Sequence, residues 1–96
     1  MLYSFTGGAD GGRPYGGVIR DSAGNLYGTT YSGGAFGDGA VYKVDSSGNQ
    51  TVLYSFKGSD GANPLAGVIR DAAGNLYGTT SSGGARNAGV VFKLKP

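Results

Sequence analysis

The sequence predicts an all-β fold, because of its glycine content, the shortness of its apolar runs and a long internal repeat. Glycine occupies 21 of the 96 positions, and glycine is costly inside helices but permissive in turns. Short runs of Val, Ile, Leu, Tyr and Thr alternate with clusters of Gly, Asp, Asn and Ser, and no stretch shows the 3.6-residue apolar periodicity of a helix. The regularly spaced Tyr and Phe residues can bury surface area, so the chain is not predicted to be a disordered low-complexity segment.

A repeat of about fifty residues divides the chain in two. The run LYSFTGGADGG, which begins at Leu2, returns as LYSFKGSDGA from Leu53, and roughly two thirds of the aligned positions are identical. We therefore define a first repeat, residues 1–52, and a second repeat, residues 53–96. Four short strands in a repeat of this length are typical of one blade of a β-propeller.

The strands are predicted in the same order in each repeat. The GVIRD run is apolar on both faces and suits the most buried strand. A D-x-AGN turn, in which Gly and Asn supply positive φ, leads to the LYGTT strand. A Gly-rich loop then precedes the third strand, and an SSGN turn leads to the fourth, in which Val52, Tyr54 and Phe56 are predicted to share one face. The predicted strands are residues 17–21, 26–30, 40–45 and 51–56, followed by 67–71, 76–80 and 90–95.

The strand order predicts that copies of the chain assemble into a ring. Leu2, Tyr3, Ser4 and Phe5 repeat the fourth-strand sequence with no blade before them, and no fourth strand follows residues 90–95. Two blades cannot close on themselves, because propellers need about four to eight. The N-terminal strand is therefore expected to complete the last blade of another copy, and this head-to-tail contact closes into a ring. A homotrimer would give six blades and a homotetramer eight; both are open, with eight preferred.

Composition excludes several classes of function. The chain has no Cys, His or Trp, and all six acidic residues are Asp. It therefore lacks imidazole and thiolate ligands and the usual nucleophile–base pairs, so we predict no metal, no cofactor and no enzymatic activity. The net charge of +2 is too small to indicate nucleic-acid binding. The sequence shows neither a signal peptide nor a membrane span.

Both copies carry the motif LYGTT-x-SGG-A, followed by G-x-VYKV or G-VVFKL, together with the D-x-AGN turn. In these motifs the chain resembles the GloVer tandem repeat of bacterial proteins over nearly its whole length. The resemblance implies a propeller-like repeat architecture and an exported or cell-surface origin. It implies no catalytic residues. The family usually carries many repeats, whereas this sequence has two.

The loops that are expected to open on one face of the propeller differ most between the two copies. Loops on a rigid scaffold often carry binding residues, and aromatic side chains stack well on sugar rings and apolar ligands. The alternative is that these loops are unconstrained and have diverged without a function. The loops are residues 7–13, 31–39, 58–63 and 81–89, and the candidate ligand contacts in them are Arg13, Tyr31, Phe36 and Arg86.

The remaining charged motifs are predicted to be structural. Arg20 and Asp21, like their counterparts in the second repeat, are consecutive strand residues that point to opposite faces, so they cannot form one patch. Asp10 and Gly11 faintly resemble a calcium loop, but the closing Glu of such loops does not occur in this chain. Two functions stay open: a non-catalytic scaffold that assembles into a symmetric ring, or a lectin-like or peptide-binding propeller.

Overall fold

The computed structural model describes residues 3–95 as two antiparallel β-sheets, one for each repeat. The first sheet has four strands in the order β1-β2-β3-β4, and the second has three in the order β5-β6-β7. Residues 3–95 form no helix, so none is long and apolar enough to cross a membrane. The all-β prediction is confirmed. The strands are β1 (Ile19–Arg20), β2 (Leu26–Thr30), β3 (Ala40–Val44), β4 (Gln50–Ser55), β5 (Ile69–Arg70), β6 (Leu76–Thr79) and β7 (Val91–Leu94).

The first strand of each repeat is shorter than the five residues predicted from the sequence. Only Ile19–Arg20 and Ile69–Arg70 pair with the following strand. The glycines that precede β1 lie against the other repeat instead, and a Cβ atom added to Gly16 would lie 2.3 Å from the backbone nitrogen of Gly67. The backbone before β1 therefore contacts the second repeat rather than continuing the ladder with β2.

A β-bulge in β4 changes which side chains share a face. Val41 lies opposite Tyr54 and Tyr42 lies opposite Val52, so Leu53 is the extra residue. Directly opposed residues share a face, whereas consecutive residues of a strand do not. Val52 and Tyr54 therefore lie on opposite faces. The prediction that Val52 shares a face with Tyr54 and Phe56 is wrong, because simple alternation does not anticipate a bulge.

The D-x-AGN turns are held by their Asp residues, which is the structural role predicted for Asp21. One carboxylate oxygen of Asp21 accepts hydrogen bonds from the backbone N–H groups of Ala23 (3.0 Å) and Asn25 (2.9 Å). The other accepts from the Asn25 amide (3.0 Å) and the Tyr27 hydroxyl (2.9 Å). Asp71 makes the equivalent bonds in the second repeat. These hydrogen bonds lower the pKa of both carboxyl groups from 3.8 to about 2.

The core lies between the two sheets. We call the face of each sheet that carries Tyr27, Thr29 and Val41, or their counterparts Tyr77, Thr79 and Val91, the front face, and the opposite side the back face. The front face of the first sheet packs on the back face of the second, and we call this contact the internal junction. Its buried apolar side chains are Tyr27, Val41, Phe56, Val68 and Leu76.

Candidate protein-interaction surfaces

The internal junction shows how one repeat recognises the next. Val41 of the first sheet is fully buried, and Val68 of the second is 3% exposed. The hydroxyl of Thr29 crosses the junction and donates a hydrogen bond of 2.7 Å to the carbonyl of Ala66. Because the repeats align over their whole length with about two thirds of positions identical, each side of this contact has a counterpart elsewhere on the same chain.

The front face of the second sheet is the counterpart of the buried front face of the first. Val91 stands where Val41 stands, yet it is 82% exposed, and Ile69 is 69% exposed. A shallow groove of about 270 Å³ runs along this face between Ile69 and Val91. Val41 is covered by the second sheet and is flanked by Tyr54 of β4. Val91 has neither a covering sheet nor a fourth strand among the described residues, and this accounts for its exposure.

The back face of the first sheet is the counterpart of the buried back face of the second. Val18 is 49% exposed, whereas its equivalent Val68 is 3% exposed. Part of this face is already covered, because the ring of Phe5 packs edge-on against Tyr42 with centroids 4.9 Å apart. The chain therefore exposes two unlike surfaces that correspond to the two sides of its own internal junction.

The predicted inter-subunit strand reproduces the geometry of the end of β4. Leu2 lies outside the described residues, whereas Tyr3, Ser4 and Phe5 are described. The rings of Tyr3 and Phe5 meet edge-on at 5.2 Å and 78°, and those of Tyr54 and Phe56 meet at 5.4 Å and 76°. Within residues 3–95, Tyr3–Phe5 form no strand, and the edge of β7 away from β6 has no partner.

A wide recess adjoins this N-terminal segment. It has a volume of about 760 Å³ and is lined by the residues from Tyr3 to Gly7, by Gly12, Arg13 and Pro14, and by Ser32. The counterpart of Pro14 is Pro64, which is fully buried at the internal junction, whereas Pro14 is exposed.

The four candidate ligand contacts do not form one cluster of hydrogen bonds or ring contacts in the described structure. Arg13 and Tyr31 are neighbours, because the Tyr31 N–H donates to the Arg13 carbonyl at 2.9 Å. The Tyr31 ring lies 5.3 Å from that of Tyr15, which is 60% exposed. Phe36 is exposed and lies 5.9 Å below the Lys57 ammonium group. Arg86 is an exposed loop residue of the second repeat.

Sequence reasoning did not single out Asn63 as a contact. Asn63 lies at the internal junction, where its N–H donates to the Asp38 carbonyl at 2.7 Å and its side-chain amide donates to the Tyr31 carbonyl at 2.9 Å. Its φ of 55° lies in the left-handed region, which Asn tolerates better than most residues. The sequence feature that could have indicated this role is that Asn63 occupies the position equivalent to Arg13, in a loop that is otherwise similar in the two repeats.

Carboxylates of the described chain bond to groups close to them in the sequence, as in Asp10, Asp21, Asp45, Asp60 and Asp71. Asp10 accepts hydrogen bonds from the Thr6 hydroxyl (2.6 Å), the Thr6 N–H (3.1 Å) and the Tyr3 hydroxyl. These bonds, led by that of the Thr6 hydroxyl, lower the pKa of Asp10 to about 2. Between residues 3 and 95, no three acidic side chains converge as a metal site would require. Asp10 therefore orders the loop that follows the N-terminal segment.

The comparison with protein families agrees with the resemblance drawn from the motifs. The model of the Gloeobacter/Verrucomicrobia repeat matches residues 1–96. The chain belongs to this repeat family, as its motifs predicted. No curated protein and no solved structure matches the chain.

Proposed function

We propose that the chain is a non-catalytic, propeller-forming repeat unit that assembles head to tail with further copies into a closed ring. The observation that carries the proposal is the contrast between Val41, which is fully buried, and Val91, which is 82% exposed. A front face that packs on a back face within one chain can pack on the back face of the next chain in the same way. Such a contact joins unlike surfaces, so repetition leads to a ring when the rotation closes.

The N-terminal segment supplies the missing strand in this arrangement. Residues Tyr3, Ser4 and Phe5 repeat Tyr54, Ser55 and Phe56, and in the first sheet Ser55 lies opposite Ala40 while Tyr54 lies opposite Val41. The same register in trans places Ser4 and Tyr3 of the next chain opposite Val90 and Val91 of the first chain. The added strand satisfies the free edge of β7, which is otherwise a site for uncontrolled pairing.

Each sheet is then one blade, and the number of blades is twice the number of chains. A trimer gives six blades and a tetramer eight, with eight preferred as in the sequence-based prediction. Two blades are below the number that stacked repeats usually need for stability. Assembly is therefore expected to be coupled to the stability of the fold.

Native mass spectrometry, with light scattering at several concentrations, tests the proposal. A single closed species of three or four chains supports it. A stable monomer or an open series of sizes contradicts it, and indicates that further repeats of the family cover these faces.

The register can be tested separately with cysteine pairs, since the chain has no Cys. Ser4→Cys combined with Val90→Cys should form disulfides between chains. Ala40→Cys combined with Ser55→Cys, at the paired positions of β3 and β4, is the matched control and should form a disulfide within one chain. If the first pair yields no covalent oligomers while the parent chain forms a ring, the strand exchange is wrong.

A second candidate function is binding of a glycan or peptide by the loop face. The observation that favours it is the pair of aromatic rings of Tyr15 and Tyr31, 5.3 Å apart, beside Arg13. An array of glycans and peptides probed with the parent chain, and with Tyr31→Ala combined with Phe36→Ala, tests it. Reproducible binding that the double variant loses supports this function, and unchanged binding by the variant contradicts the assignment of these residues.

A further inference from the structure

The loop differences between the repeats separate two kinds of junction. At the internal junction, the loop of residues 31–39 receives the Asn63–Pro64 segment of the second repeat. Besides the two hydrogen bonds of Asn63, Pro64 packs closely on Gly39, since a Cβ atom added to Gly39 would lie 2.8 Å from its Cδ. We call loop 31–39 the seat, because it receives the other repeat, and we call the Asn63–Pro64 segment the insert.

The equivalent loop of the second repeat, residues 81–89, shares the glycine conformations and one backbone hydrogen bond of loop 31–39. Gly83, Gly84 and Gly89 have φ values of 80°, 80° and 100°, against 73°, 79° and 100° for the corresponding glycines of the first repeat. The Gly89 N–H donates to the Gly83 carbonyl at 3.1 Å, as its counterpart does at 3.0 Å. This second seat holds no insert from the described residues, and Arg86 and Ala88 in it are exposed.

The equivalent insert of the first repeat is Arg13–Pro14. Arg13 has a φ of 53°, close to the 55° of Asn63. Its carbonyl accepts from the Tyr31 N–H at 2.9 Å, just as the Asn63 carbonyl accepts from the Ser81 N–H at 3.2 Å. Arg13 and Pro14 project beside the recess of about 760 Å³. Within the described residues, the insert Arg13–Pro14 therefore has no loop to receive it, and the seat formed by loop 81–89 receives no segment.

We infer that loop 81–89 of one subunit seats on Arg13–Pro14 of the next, forming a contact between subunits that is chemically distinct from the internal junction. By analogy with Asn63 and Asp38, the Arg13 N–H donates to the carbonyl of Ala88 of the partner subunit. The inference rests on the proposed ring. It assigns Arg13, Ser81 and Ala88 to the boundary between subunits.

Size compensation supports this assignment. The subunit boundary carries the larger insert, Arg13 in place of Asn63. Its loop has the smaller Ser81 and Ala88 in place of Tyr31 and Asp38, although Asn87 is larger than Gly37. Close-packed contacts tolerate exchanges that conserve total volume better than one-sided changes.

The two junctions also differ at Gly16 and its counterpart Ala66. Gly16 contacts the second repeat so closely that an added Cβ would lie 2.3 Å from the Gly67 nitrogen. The residue equivalent to Gly16 is Ala66, which has a Cβ. If the two subunits meet as the repeats do at the internal junction, the Ala66 Cβ requires them to lie farther apart here. If the front face of the first repeat met the Arg13 insert, the insert would be too large for the space. If the front face of the second repeat met the Asn63 insert, the insert would be too small.

Cross-linking with a short bis-maleimide reagent tests the contact. Arg13→Cys combined with Ala88→Cys changes two exposed residues, so folding should be preserved. The linked chains are expected to run on denaturing gels at multiples of the chain mass, up to the closed ring. The matched control, Asn63→Cys combined with Asp38→Cys, joins the equivalent internal positions and should stay at the mass of one chain.

The outcomes separate this inference from the proposed ring. If the parent chain forms a ring and the Ser4–Val90 cysteine pair links chains, but the Arg13–Ala88 pair does not, the loop contact is wrong and the ring stands. If the parent chain is monomeric at every concentration, both proposals are wrong. Linking between chains by both the Arg13–Ala88 pair and its control would also overturn the distinction between the two junctions.

Discussion

Replacing Val91 by Asn should dissociate the ring without disturbing the interior of the subunit. Val91 is 82% exposed on the chain, whereas its counterpart Val41 is fully buried. If the next subunit covers Val91 as the second sheet covers Val41, nearly the whole side chain leaves water on assembly. Burial of a Val side chain contributes about 1.5–3 kcal/mol, and burial of an unpaired amide costs about 1–3 kcal/mol.

The substitution should therefore weaken each subunit contact by about 2.5–6 kcal/mol. This corresponds to roughly sixtyfold to twenty-thousandfold in the dissociation constant. Light scattering and native mass spectrometry over a roughly thousandfold range of concentration would measure the shift. Val91→Asn should lose the ring at concentrations where the parent chain is fully assembled. Every boundary in the ring carries the same substitution, so the free energy of assembly lost by the closed species is the sum of the losses at all its contacts.

Val41→Asn is the matched control, since it makes the same change at the internal junction. It should lower the unfolding midpoint of the chain itself, because Val41 is buried without a partner subunit. The reasoning is refuted if Val91→Asn leaves the assembly unchanged across the concentration range. It is also refuted if both variants have the same effect on assembly and on unfolding.

Three further predictions concern the fold. Gly78→Ala should lower the free energy of unfolding by about 1–3 kcal/mol, measured by urea titration, because the new Cβ would lie 2.7 Å from the Phe92 ring; an unchanged midpoint would contradict this packing. Asp71 has a folded pKa of about 2 against 3.8, so its stabilising effect is present above 3.8 and is lost as the pH falls toward 2. Asp71→Asn should reduce the acid sensitivity of the urea midpoint between pH 6 and pH 2, and an equally steep loss in the variant would contradict this role. Thr29→Val should lower the free energy of unfolding by about 1–3 kcal/mol, because it leaves the Ala66 carbonyl without its 2.7 Å hydrogen bond. Thr79→Val, at the exposed counterpart of Thr29, should weaken assembly in light scattering and leave the chain's own stability unchanged.

The proposed assembly gives the two repeats different roles although their sequences are similar. The front face of the first repeat is covered within the chain, whereas in the proposed ring another copy covers the front face of the second. Stability of the second repeat should therefore depend on concentration more than that of the first. Hydrogen exchange of β7 compared with β3 is a direct readout, because the outer edge of β7 gains its partner strand only in the ring.

The sequence by itself determined the local features of this protein. The D-x-AGN turns could be predicted because their Asp residue bonds the backbone only four positions ahead, and such contacts depend on neighbours in the chain. Strands β2 and β3 followed from alternation and from the repeat. Family membership followed from the same motifs, which the family model matches over residues 1–96.

Tertiary structure decided what the two repeats do with equivalent residues. Val41 and Val91 lie in nearly the same local sequence, yet one is fully buried and the other is 82% exposed. The bulge at Leu53 and the seat of Asn63 between Tyr31 and Asp38 were equally beyond sequence periodicity. The physical reason is that burial and register depend on the surface that packs against the strand. That surface comes from residues distant in the sequence and, in the proposed ring, from another copy of the chain.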